Sequence, residues 1–317
     1  MKRRKLNVSS ATASMLALLA AIGFFCQPAF GAAGASWTKV ADSVAWSPRA
    51  NHAVLVYNNK MWVLGGWSGF NTTDVWSSSN GVSWSLVTSS APWSAGVSVG
   101  LVYDNKMWVL GAGVWYSADG ASWTKTHNGN FGGTGGAVSA VVYGNKMWVF
   151  TAGDPDGSGS GEAYYSTDGV TWTMTANSYC QSDSFGALVY DNKMWILGGY
   201  TDGDEYKYLC LNSATGVSWT DCTPPGGWRE SPAVAVFDNK MWVMSGHKTY
   251  GTYMGDILSS TDGNTWTLVA DKPWGRRLGT AAVVFDNKMW VMGGHGYDEN
   301  NSFGTHNDVW YSSSDIY

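Results

Sequence analysis

Three arginines and two histidines, with aromatic residues near them, are the side chains of this 317-residue chain best suited to grip a ligand. Arg49, Arg229 and Arg277 each precede an apolar stretch that ends in an aromatic residue: Tyr57, Phe237 and Phe285. His247 and His295 follow a pair of small residues at the end of the next apolar stretch, and Trp67 holds that place after Arg49. His52, Glu230, Arg276, Tyr250, Tyr253, Tyr297 and His306 fall in the same sector. Planar guanidinium forks suit a carboxylate or an acidic sugar, and aromatic faces suit sugar rings.

Other constellations are weaker. The run Asp154-Pro-Asp-Gly-Ser-Gly-Ser-Gly-Glu162 puts oxygen ligands at alternate positions, so Asp154, Asp156 and Glu162 are the candidate calcium ligands. Tyr165 stands where the terminal bidentate acid of a calcium loop belongs, which favours a plain glycine-rich loop and no cofactor. Four cysteines are present. Cys210 and Cys222 flank one expected hairpin, on strands that should lie side by side, so they are the preferred disulfide pair. Cys180 is left over, and the absence of CxxC spacing argues against zinc.

Behind these residues stands a repeat. Asn-Lys-Met-Trp, followed by two apolar residues and a small pair, recurs six times, at Lys60, Lys106, Lys146, Lys193, Lys240 and Lys288. A Ser/Thr-Trp cassette follows at Trp84, Trp123, Trp172, Trp219 and Trp266, and another copy stands alone at Trp37. A period of forty to fifty residues signals a repeat architecture. One unit reads as four strands. His52–Tyr57 is apolar and β-branched, and Asn58-Asn59 supplies the positive φ of a tight hairpin. Lys60–Leu64 is apolar on both faces and ends at Gly65-Gly66. Asp74–Ser77 and Ser83–Val87 follow, joined at Asn80-Gly81.

Four antiparallel strands repeated radially describe a β-propeller blade. The last unit stops where its fourth strand should begin, and Ser36–Val40 stands orphaned near the N-terminus. The expectation is an all-β, six-bladed propeller of four-stranded antiparallel blades over residues 32–317, closed by the N-terminal strand completing the last blade.

Residues 1–31 read as a signal peptide: Lys2, Arg3, Arg4 and Lys5, then an apolar stretch from Met15 to Phe25, then small residues around Gly31. Without them the formal charge goes from -5 to -9, with 15 basic against 24 acidic residues. An acidic surface without basic runs excludes nucleic acid and anionic membrane as partners, and no later segment is long and apolar enough for membrane insertion. The expected product is a secreted or periplasmic monomer.

The repeats resemble kelch repeats: an apolar strand, Gly-Gly after the second strand, an aromatic on the third and Trp on the fourth. Ser117–Trp123 and Ser166–Trp172 resemble, one residue short, the Asp-box of sialidases. Both motifs are structural in their families. The kelch resemblance implies an interaction module whose variable loops share one rim. A carbohydrate or an extracellular or periplasmic protein would be its partner. An arginine before the first strand of a kelch blade also serves to brace loop carbonyls, so both roles stay open for Arg49, Arg229 and Arg277. The alternative function is a small mutarotase- or sialidase-like enzyme acting on acidic sugars; that likeness implies an arginine to hold the anion and an acid or base, for which Arg229 and Glu230 are the candidates. A galactose-oxidase-like copper site is a weaker alternative, because no cysteine lies in the blades of His247 and His295.

Overall fold

A computed structural model describes residues 33–93, 99–111, 113–129, 131, 137–152, 161–177, 183–200, 208–222, 229–248 and 251–313. The chain divides into Met1–Phe30 and Gly31–Tyr317, and every described residue lies in the second unit. Among the described residues no helix is long and apolar enough to cross a membrane. Asp154, Asp156, Cys180 and Tyr250 lie outside the described residues.

The described residues form six four-stranded antiparallel sheets and one three-stranded sheet. The first sheet contains Ala53–Tyr57, Lys60–Trp67, Asn71–Ser78 and Ser85–Thr88, in chain order. The next four sheets repeat this order. Asparagine or aspartate takes positive φ in the first hairpins, as at Asn58 (48°) and Asn59 (54°). The Lys-Met-Trp strands supply the core: Met61, Val63 and Leu64 are wholly buried, and so are Met241, Trp242, Val243 and Met244. Burial on both faces explains why these strands do not alternate in polarity.

One expectation needs correction. Gly65-Gly66 does not end the second strand of the first sheet. The register shifts there, and pairing resumes at Gly66 with Thr72 and Trp67 with Asn71. A β-bulge at positive φ (59° and 102°) bends the strand and carries it further out. The fifth sheet does the same, with His247 opposite Tyr253. In the sixth sheet the extension separates as Arg276–Leu278, His295–Tyr297 and Phe303–Thr305, which form the three-stranded sheet.

The sixth sheet draws on both ends of the chain. Ala281–Phe285, Lys288–Met292 and Val309–Ser313 are joined by Thr38–Ala41, which pairs antiparallel with Val309–Ser313. The N-terminal segment also supplies this sheet's tight turn. In the first five sheets a serine Oγ accepts from the amide of the turn glycine, for example Ser78 from Gly81 at 2.8 Å. In the sixth, Ser312 accepts from Gly34 at 2.9 Å. Trp37 then donates to the Gly34 carbonyl as Trp84 does to that of Gly81.

Neighbouring sheets are stitched by the repeated tryptophan. The rings of Trp62, Trp108, Trp148 and Trp195 lie on the turn glycines Gly120, Gly169, Gly216 and Gly263 of the following sheets. Trp242 lies on Gly34, and Trp290 of the sixth sheet lies on Gly81 of the first. At Gly34 (φ 76°) a Cβ would overlap the indole, so glycine is needed both for the turn and for the packing. The leading strand of each sheet touches that of the next, and Ala281–Phe285 touches Ala53–Tyr57, so the order of neighbours is cyclic. Backbone bonds run the same way: Asn51 N–H to Gly279 O (2.9 Å), Gly279 N–H to Ser231 O (3.2 Å) and Ser231 N–H to Ser184 O (2.6 Å).

Cys210 and Cys222 are joined, with Cα atoms 5.0 Å apart. The Cys222 amide also donates to the Cys210 carbonyl, so the bridge spans a paired edge of the fourth sheet.

Candidate functional site

The three arginines occupy one equivalent position in the first, fifth and sixth sheets, and each is buried: 0 %, 0 % and 1 % exposed. Arg49 uses all five donors. Nε donates to Ser47 O, Nη1 to Gly65 O and Asp74 Oδ1, and Nη2 to Ser47 Oγ and Asp74 Oδ2, at 2.8–3.1 Å. Arg229 grips Asp256 with both Nη atoms and donates to Ser245 O. Arg277 does the same with Asp308 and Gly293 O. Each fork therefore ties the approach to the leading strand to the glycine or serine step of the second strand and to an aspartate of the third-strand segment. Burial raises the Asp74 carboxyl, but hydrogen bonds from Arg49 and Trp76 outweigh it and hold the group below the usual range. The donors assigned from sequence to a ligand carboxylate point into the protein, where a carboxylate of the same sheet meets each fork.

The aspartates left a sequence signal that the motif reading missed. Asp74-Val-Trp, Asp256-Ile-Leu and Asp308-Val-Trp stand at the same point of the third-strand segment, four residues before the turn serine, only in the repeats that carry the arginine. The equivalent residues elsewhere are Gly113, Glu162 and Leu209. A residue pair that occurs together or not at all within one set of repeats marks a contact.

The residue after each arginine pairs with the residue past the bulge: Ala50 with Trp67, Glu230 with His247 and Leu278 with His295. The buried forks thus carry Trp67, His247 and His295 in matched positions on three sheets. Tyr253 joins two of them. Its ring centroid lies 5.2 Å from that of His247, 6.2 Å from His295, 5.8 Å from Tyr297 and 5.7 Å from Phe303. Gly296 lets the Tyr253 ring lie on the backbone of the neighbouring sheet, where a Cβ would approach Tyr253 Cδ1 to 2.8 Å. Trp67 extends the row from the first sheet, 5.8 Å from His295. Phe303, at 56 % exposure, and Trp67, at 40 %, leave the patch open to solvent. Phe303 carries no repeat signature, so sequence reasoning had no reason to select it.

Polar groups border these rings. His295 Nδ1 lies 3.0 Å from Thr305 Oγ1, and His306 Nε2 3.1 Å from Gly296 O. Burial lowers the pKa of His295; burial and then Arg277 lower that of His306. Burial and then Tyr297 raise that of the Tyr253 hydroxyl. Glu230 Oε2 is 3.6 Å from His247 Nδ1, while His247 Nε2 accepts from the Gly251 amide at 3.2 Å. Arg276 lies 5.0 Å over the Tyr297 ring and donates to Asn301. His52 is a core residue, 4 % exposed, and its pKa is pushed down to about 3 by burial and then by Arg49.

Among the described residues no cluster of three or more His, Cys, Asp or Glu side chains could hold a metal ion. Glu162 accepts from the Tyr164 hydroxyl. Its partners in the candidate calcium loop, Asp154 and Asp156, lie outside the described residues.

The kelch motif family matches residues 48–82, which run from just before Arg49 through the bulge, Asp74 and Trp76 to the Asn80-Gly81 turn. That match and the array of four-stranded antiparallel sheets define an all-β protein carrying a kelch motif, with the fold expected of a kelch-repeat propeller. A kelch motif points to an interaction module. A comparison with curated proteins finds no match.

Proposed function

We propose that this is an exported, six-bladed kelch propeller, closed by its two termini, that binds carbohydrate through the rim shared by its fifth, sixth and first sheets. Export rests on the basic and apolar leader of residues 1–31. The closed ring rests on the cyclic order of neighbours and on Gly34 taking the place of a turn glycine.

The observation that carries the binding reading is the aromatic row of Trp67, His295, Tyr253, Tyr297 and Phe303. Partly exposed rings from three sheets, bordered by hydroxyls, a carboxylate and an arginine, match the C–H faces and hydroxyl edges of sugar rings. Such a patch also marks a surface meant to be covered. The test is a panel of oligosaccharides titrated by calorimetry, with turnover of the same sugars followed separately. Binding without turnover supports the module; absence of binding across the panel overturns it.

A second reading, a small enzyme on acidic sugars, is favoured by the Glu230–His247 pair alone. The Gly251 amide already faces His247 Nε2, which fixes the imidazole proton on Nδ1, toward Glu230. That arrangement suits bracing of the hairpin better than proton transfer. Turnover lost in Glu230→Gln with binding kept would restore the enzyme reading.

A further inference from the structure

We infer that the aromatic rim selects neutral, hydroxyl-rich sugars over acidic ones. The inference rests on the carbohydrate reading above and names its ligand class. The chemistry for an acidic sugar would have to come from cations aimed at the rim, and the three best candidates are committed elsewhere. Arg49 has no donor left after Ser47, Gly65 and Asp74. Arg229 and Arg277 each close a bidentate pair with an aspartate of their own sheet. A guanidinium so paired offers an incoming carboxylate neither net charge nor its planar fork.

Among the described residues, the charges that remain beside the rim are close to balanced, with Arg276 and Lys248, which follows His247 on its strand, against Glu230, Asp298 and Glu299. Arg276 is held over Tyr297 and by Asn301. Glu230 borders His247, and Asp298 caps the loop by accepting from the amides of Asn300 and Ser302. Glu299 pairs with Lys39 at 2.6 Å. Burial favours the uncharged forms of His295 and His306, so neither compensates an anion near neutral pH. An acidic ligand would meet Glu230 and Asp298 with none of the three buried forks turned toward it, and Arg276 already gives one Nη to Asn301 and its face to Tyr297. A neutral sugar meets a carboxylate that accepts its hydroxyls, tyrosine and threonine hydroxyls that donate or accept, and aromatic faces for its C–H groups. Affinity built this way also escapes screening by salt.

The test uses pairs of hexasaccharides that differ only at C6, a neutral glucan, galactan or mannan against the matching polyuronate. Each is titrated into the full chain at low and at high salt, with folding checked by near-UV circular dichroism. The expected result is at least a tenfold preference for the neutral member of any pair that binds, with an affinity unchanged by salt. Glu230→Gln should narrow that preference. Equal or tighter binding of the uronate, weakened by salt, would overturn the inference and leave the carbohydrate reading standing. Binding of neither member, by folded protein and across all pairs, would overturn both.

Discussion

The backbone amide of Gly34 donates to Ser312 Oγ at 2.9 Å, joining positions 278 residues apart in a bond that five other sheets make inside a single turn. Trp242 covers this glycine, and Trp37 stacks edge-on against Trp274 with centroids 4.7 Å apart. The sixth sheet is therefore completed by a segment that could be detached. Deleting residues 33–41 should lower the melting temperature by about 3–7 °C, since a strand edge and the Trp242 and Trp274 rings are uncovered (about 2–4 kcal/mol lost). A synthetic peptide of residues 32–41 should restore much of it. A melt unchanged by the deletion contradicts a closed ring.

The Arg–Asp pairs set the bulges that carry the rim. Arg49→Met leaves Asp74 partly buried without its counter-charge and should cost about 3–5 kcal/mol in urea unfolding. Replacing both members, Arg49→Met with Asp74→Leu, should recover most of that loss, because an apolar pair needs no desolvation of charge. If the single variant costs under about 0.5 kcal/mol, the fork is not bracing the sheet.

His52 gives stability a slope with pH. Its folded-state pKa, pushed down to about 3, lies below the usual 6.5, so the unfolded chain binds its proton first as pH falls. Stability from this group is complete above about pH 6.5 and declines as the pH drops toward 3, by about 3 kcal/mol at pH 4.5. The lowered pKa values of His295 and His306 act in the same direction. His52→Leu should flatten the fall of melting temperature between pH 7 and pH 4.5. Parallel curves for the two proteins would show that His52 is not the titrating group.

The Cys210–Cys222 bridge closes a short loop, with a sequence separation of 12. Reduction should lower stability by about 2–3 kcal/mol. The readout is a melt with and without reductant, and Cys210→Ala/Cys222→Ala should match the reduced protein. A larger loss on reduction than in the double variant would point to a second bridge.

Much of the fold was legible because it repeats. Asn58-Asn59, the Lys-Met-Trp strand and the Asn80-Gly81 turn are local signals, each confined to one hairpin, and the sequence states each of them several times. The place of Trp37 was legible for the same reason, as a fourth-strand residue without the other three strands. The bulge at Gly65-Gly66 was not, because two glycines serve a strand end and a bulge equally well. The fate of the arginines needed the third strand. Arg49 and Asp74 are 25 residues apart, and only folding shows which donor meets which acceptor. The aromatic row needed tertiary structure most of all, since Tyr253 and Phe303 come from separate sheets and share no register.

The most direct test of the carbohydrate reading is to titrate wild type and Tyr253→Ala with neutral oligosaccharides by calorimetry. Tyr253 is the ring that touches His247, His295, Tyr297 and Phe303. The account predicts micromolar to millimolar binding by wild type and at least a tenfold loss in a variant with an unchanged melt. Wild-type affinity in the variant would contradict it.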